Sequence, residues 1–147
     1  MKKLFLIFAT FLLTCCNSNR SPIPDMRVYL EFNIIADAPE LYSFNGFKEF
    51  TVPQNALQSL GYGGILVFHT MEDKYCAFDM SCPFEAKPDV RIHCDNTGIA
   101  RCDSCQSAFI VLDGTAFPIN ENSKAKFPLK RYSVYYSPST FNIVVTN

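Results

Sequence analysis

The chain has no tryptophan, only two histidines in 147 residues, and 18% charged residues with a formal net charge of −1. Each shortage excludes something. A cysteine nucleophile needs a nearby base, and His69 and His93 are the only imidazoles on offer. Asp73, Asp79, Glu85 and Asp89 lie close together in sequence, but that alone is no ground for paired-carboxylate catalysis. No catalytic residue is assigned, and no enzymatic activity is expected. A near-neutral chain without a basic stripe cannot displace counterions from phosphates, so nucleic acid is not an expected partner. The longest apolar run, from Leu4 to Leu13, is shorter than the about 20 residues needed to span a bilayer core of ~30 Å. Gly61-Tyr62-Gly63-Gly64 has no following Gly-Lys-Ser/Thr, so it reads as a turn and not as a phosphate-binding loop.

What is present is an aromatic-rich chain, 48% hydrophobic with 14 Phe, 7 Tyr and 7 Cys, the composition of one globular domain. Residues 1–15 read as a leader: Lys2-Lys3, the apolar run, then Leu13-Thr14-Cys15-Cys16, a pattern that fits a secretory signal. Its end resembles the bacterial lipobox, in which a small residue precedes a cysteine that is lipidated and becomes the mature N-terminus. Cys16 is the expected lipidation site, with Cys15 as the alternative. Cleavage there removes two lysines and no acid, leaving a net charge of −3. The expected location is the bacterial cell envelope, on a membrane lipid anchor facing the periplasm or the surface. Residues 16–25 form the lipidated N-terminus and a tether, where Pro22 and Pro24 disfavour regular structure. Residues 26–147 are the expected domain.

Within that domain the apolar positions alternate. Val28, Leu30, Phe32 and Ile34 read as a first strand, and residues 41–52 as a hairpin turning at Asn45-Gly46. Residues 54–60 read as a short helical turn, and residues 65–68 and 75–79 as strands. Val90, Ile92 and Cys94 share a face opposite His93, before a turn at Asn96-Thr97-Gly98. A strand at residues 109–112 and a closing hairpin of Tyr132, Val134, Tyr136 with Phe141, Ile143, Val145 complete about ten short strands. The class implied is all-β, an antiparallel sandwich or small barrel.

Chemistry concentrates in residues 82–107. Cys82-Pro83-Phe84-Glu85 precedes Cys102-Asp103-Ser104-Cys105-Gln106-Ser107 across one hairpin, and two cysteine loops at such spacing can converge on a metal. This stretch resembles the Rieske iron-sulfur domain, whose first loop carries Cys-x-His and whose second carries Cys-x-x-His followed by Gly-Ser. Cys82 and Cys102 fall on the family cysteines. Phe84 and Cys105 stand where the histidines would be, and Gln106-Ser107 where Gly-Ser would be. Tyr75-Cys76-Ala77-Phe78-Asp79 is similar to the strand entering the first loop. Residues 127–134, Phe-Pro-Leu-Lys-Arg-Tyr-Ser-Val, are similar to the family's proline-containing third loop. The resemblance spans about residues 61–145 and implies a Rieske-like β domain with a two-loop cysteine subdomain.

Three occupants of that subdomain stay open. The leading expectation is no cofactor, with a disulfide among Cys82, Cys102 and Cys105 tying the loops in an oxidising compartment. The resemblance implies instead a [2Fe-2S] cluster and electron transfer, with Cys94, Cys76 or His93 replacing the lost ligands. A structural zinc site on Cys82, Cys102 and Cys105 is the third, with Cys94 as a possible fourth ligand. In each case the chain is a membrane-anchored, non-enzymatic lipoprotein with an unnamed redox or scaffold partner. In a chain expressed with its leader, Cys16→Ala is expected to abolish incorporation of labelled fatty acid while Cys15→Ala preserves it. The reverse result would move the modified cysteine one residue upstream.

Overall fold

The computed structural model describes residues 21–120 and 123–147. The leader, Cys15 and Cys16 lie outside the described residues. Among the described residues, no helix is long and apolar enough to cross a membrane.

Among the described residues, eleven strands form two antiparallel sheets. They are β1 (Val28–Asn33), β2 (Phe47–Phe50), β3 (Ser59–Leu60), β4 (Ile65–His69), β5 (Tyr75–Asp79), β6 (Ile92–Cys94), β7 (Ile99–Cys102), β8 (Ala108–Ile110), β9 (Phe117–Pro118), β10 (Arg131–Ser137) and β11 (Asn142–Thr146). The larger sheet runs β2-β4-β5-β10-β11-β1-β3 and the smaller β6-β7-β8-β9. Every strand of the larger sheet sends side chains into one core: Leu30, Phe50, Leu60, Ile65, Ala77, Tyr132 and Ile143 are all members. A seven-stranded sheet can share a single interior only by curling around it, so the sheet is a nearly closed barrel. This all-β layout, a barrel plus a small sheet carrying the cysteine loops, is the architecture the sequence implies.

β4 explains its own composition. Ile65 and Val67 point into the barrel, while Leu66 and Phe68 point outward into a second core shared with Ile92, Ala100, Phe109 and Val111 of the small-sheet half. A strand buried on both faces carries an unbroken apolar run, because neither parity reaches water.

Three local readings change. The hairpin at residues 41–52 does not form: Pro39–Tyr42 is a 3-10 helix and only β2 is a strand, paired with β4. Asn45 N–H donates to His69 O and His69 N–H to Gly46 O, at 2.8 and 2.9 Å, so the turn residues are drawn into the β4 edge. Gly46 is required there, since a Cβ would sit 1.8 Å from the Glu40 carbonyl oxygen of the 3-10 segment. Residues 54–60 are not a helix: Ser59–Leu60 is β3, paired with β1, and the Gln58 side chain is tied to that strand and its own loop, donating to Glu31 O at 3.1 Å and accepting from Gln54 N–H at 2.8 Å. Ile34 leaves the first strand, because Asn33 caps a four-residue helix α1 (Ile34–Asp37) by accepting from the N–H groups of Ile35 and Ala36. Part of the stretch read as tether lies against the domain. Ile23 is buried, and Lys130 Nζ donates to the carbonyls of Ile23 and Pro24 and pairs with Asp25 at 2.6 Å.

One polar group closes the barrel end nearest the cysteine loops. Asp79, fully buried at the end of β5, accepts from the N–H groups of Tyr62 (3.0 Å), Gly63 (3.2 Å) and Ser81 (2.8 Å) and from Tyr132 Oη (2.5 Å). A buried carboxylate costs several kcal/mol unless its lone pairs are met, and here four donors meet them. The glycines at 61–64 serve this cradle as a turn: Gly61 has φ 71°, and a Cβ on Gly63 would meet Ser81 Oγ at 2.0 Å. Burial, and then the Asp79 carboxylate, push the Tyr132 phenol far above its ordinary value, so it remains a donor. Tyr132→Phe is expected to lower stability by about 1.5–3 kcal/mol, the worth of a hydrogen bond to a charged group. Asp79→Ala should cost more, because it orphans every donor in the cradle at about 1–3 kcal/mol each. Denaturant unfolding measures both, and an Asp79→Ala midpoint equal to wild type would refute the assignment.

Candidate metal centre

The first cysteine loop leaves the barrel directly from the Asp79 cradle. Ser81 bridges to Arg91, Ile92 N–H donates to Met80 O at 2.7 Å and Cys82 N–H to Val90 O at 3.0 Å. These contacts close residues 82–90 into a loop at the base of β6. The second loop starts at the end of β7, where Cys102 pairs across to Ile92 and its N–H donates to Ser107 O at 3.0 Å. The small sheet therefore presents both loops at one end.

The sulfurs of Cys82, Cys102 and Cys105 all lie within 4.8 Å of one another. The Cys82 and Cys105 sulfurs stand 3.5 Å apart, and all three residues are free thiols. Cys82 and Cys102 are fully buried and Cys105 is 7% exposed. The other candidates are not brought in. Cys94 lies two residues up the β6–β7 hairpin from the Ile92–Cys102 level, paired with Ala100, and a strand rise of about 3.4 Å per residue carries it toward the far turn. There its sulfur donates to Asp95 O at 3.5 Å. Cys76 sits beside Arg131, whose guanidinium donates to its sulfur at 3.4 Å. His93 faces outward to Glu49 at 3.1 Å. His69 is buried and hydrogen-bonded to Ser43 O and Asp73, stacked on Tyr75 at 4.3 Å. Phe84 is half exposed, with Lys124 Nζ 5.9 Å above its ring.

Burial and backbone dipoles act on the three thiols in opposite senses. Burial pushes Cys82 up to about 12, although the N–H groups of Glu85 and Phe84 favour its thiolate. Cys102 is raised as well, by burial above all, against the N–H groups of Cys105 and Ser104. Burial also opposes ionisation of Cys105, but the Ser107 hydroxyl and N–H and the two neighbouring thiols outweigh it and bring Cys105 below its ordinary value. Ser107 Oγ stands 3.2 Å from the Cys105 sulfur and accepts from Ala125 N–H at 3.1 Å, leaving its own proton available to a thiolate. Ser107 stands where the resemblance puts the family's serine, but Ala125 could not be found from cysteine spacing, since it arrives from a loop 18 residues further on.

The three sulfurs allow either a metal ion or an iron-sulfur cluster, and each needs a further ligand beside them. Tetrahedral bonds of about 2.3 Å to zinc put sulfurs about 3.8 Å apart, within the span seen here. A [2Fe-2S] cluster needs four protein ligands. Among the described residues the group holds three thiols, and Phe84 offers no donor atom where the first histidine would stand.

Without metal, Cys82 and Cys94, both pushed up to about 12 by burial first, and the raised Cys102, favour the folded state while neutral. That stability is complete below the ordinary cysteine value of about 8.5 and is lost as pH rises toward 12. Cys76 is raised by burial as well, so Cys105, lowered and working in the opposite sense, is one group against four. The reduced, metal-free protein is therefore expected to have a lower urea midpoint at pH 10 than at pH 7.5. An equal or higher midpoint would contradict it.

No family model matches this sequence, and no curated protein does. Among solved structures the fold is similar to that of a protein from Mycobacterium tuberculosis described as the proposed small subunit of an NADH-dependent nitrite reductase, with 12% identity and a TM-score of 0.45, over 84% of this chain and 97% of that one.

Proposed function

We propose that the chain is a metal-binding β domain without catalysis of its own, in which Cys82, Cys102 and Cys105 hold one thiophilic ion, zinc foremost. The observation that carries this is the convergence of three buried sulfurs within 4.8 Å on two loops whose N–H groups favour thiolate at Cys82 and Cys102. Thiolates select soft or borderline ions such as zinc over hard ones. The ion supplies positive charge and fixed geometry. The residues hold the loops in place: Cys82 ties the barrel's exit, Cys102 and Cys105 tie the small sheet, and Ser107 brings in the third loop. Because the unfolded chain has no such site, binding is coupled to folding. The role is structural, with the exposed Phe84 tip available to a protein partner, on a chain anchored through lipid at Cys16 in a bacterial envelope.

A second reading rests on the 3.5 Å approach of Cys82 to Cys105. A disulfide there closes a loop of about twenty residues and stabilises by about 3 kcal/mol through the unfolded chain. Metal and sulfide content together with a thiol count, on protein isolated from its own membrane, separates the two. The expected result is one zinc per chain, no acid-labile sulfide, and five thiols from Cys76, Cys82, Cys94, Cys102 and Cys105 after chelation. Three thiols and no metal would establish the disulfide, and stoichiometric iron with sulfide would overturn both.

A further inference from the structure

The two cysteine loops have the same backbone. In each, the carbonyl of the opening cysteine accepts from the N–H four residues on: Ala86 to Cys82 and Gln106 to Cys102, both at 2.9 Å. In each, that fourth residue is left-handed, Ala86 at φ 49° and Gln106 at φ 60°, a conformation neither residue type adopts by preference. In each, the N–H groups of the second and third residues act on the opening sulfur. Matching the loops on these features makes Glu85 the counterpart of Cys105. The second loop uses its third position to set a ligand beside Cys102. The first loop carries a carboxylate at the equivalent place.

That carboxylate already reaches from one loop to the other. Glu85 is half-buried, and its Oε1 accepts from Ser104 Oγ at 2.9 Å; Ser104 immediately precedes Cys105. Zinc also accepts Asp and Glu oxygens, at about 2.0–2.2 Å, and a closed structural site needs four ligands. The sulfurs supply three, and neither Cys94, Cys76 nor His93 joins them.

We propose that Glu85 is the fourth ligand, completing a three-thiolate, one-carboxylate zinc site; this rests on the metal reading above. In the structure as it stands the carboxylate is outside the sulfur group. Binding exchanges its bond to Ser104 for the ion. The mixed donor set favours zinc over a monovalent soft ion such as copper(I), which prefers sulfur alone.

The test is titration of the reduced full-length protein with zinc and with cobalt(II), the latter read by absorption, in wild type and in Glu85→Ala, Glu85→Cys and Ser104→Ala. Glu85→Ala is expected to weaken zinc at least ten-fold, to keep the thiolate-to-cobalt charge-transfer bands, and to shift the visible ligand-field bands. Glu85→Cys should bind at least as tightly as wild type and gain charge-transfer intensity from a fourth thiolate. Ser104→Ala, which removes only the resting hydrogen bond, should leave affinity and spectrum near wild type. Wild-type affinity and spectrum in Glu85→Ala would overturn the assignment and leave water or another group in the fourth position. Equal losses in Glu85→Ala and Ser104→Ala would reduce Glu85 to a loop contact. A wild-type protein that takes up neither ion would instead remove the metal reading itself.

Discussion

The carboxylate of Asp79 is the fixed point from which the cysteine site is built. It lies at the end of a strand whose neighbours on either side are β4 and β10, and it gathers donors from the 61–64 turn, from β10 and from Ser81, one residue before Cys82. The residue is fully buried, away from bulk solvent, so its geometry is enforced by the cost of leaving any donor unmet. The barrel is thereby closed at the point where the chain departs toward the small sheet, and the direction of the first cysteine loop is set before any metal or disulfide is involved.

Beyond that point two cores meet. β4 and β5 belong to both, with one parity facing the barrel interior and the other facing the half that contains Cys82, Cys102 and Cys105. The thiols are therefore embedded in apolar packing and not carried on a solvated tip. Such surroundings keep a thiol neutral, yet the same loops turn their N–H groups toward the sulfurs and place Ser107 against Cys105. Structural thiols have no use for donors that favour their ionised form. A positive ion gains from both features at once, since apolar walls strengthen its attraction to thiolates and the dipoles stabilise the charge it leaves on them.

The sequence alone determined the class of the fold and the two loops. Alternation at Val28, Leu30 and Phe32, at Ile143 and Val145, and the breaks at Asn96-Thr97-Gly98 and Ser137-Pro138-Ser139 are local signals, because strand parity and turn chemistry are properties of neighbouring residues. They are reliable where the strand's partner is its neighbour in the chain, as in β6 with β7 and β10 with β11. They fail at residues 41–52 and 54–60, where the competing partners, His69 and Glu31, come from elsewhere in the chain.

Tertiary structure alone decided which donors share a site. Cys94 and His93 carry the right atoms at plausible spacing, and only the register of Ile92 against Cys102 sends Cys94 toward the hairpin's far end. Glu85 and Cys105 share an offset of three residues from Cys82 and Cys102, but the matching hydrogen bonds and left-handed residues that make the two loops alike appear only in the fold. Side-chain chemistry can be read from composition, whereas convergence depends on hydrogen-bond register and left-handed turns, which are settled by contacts between residues far apart in the chain.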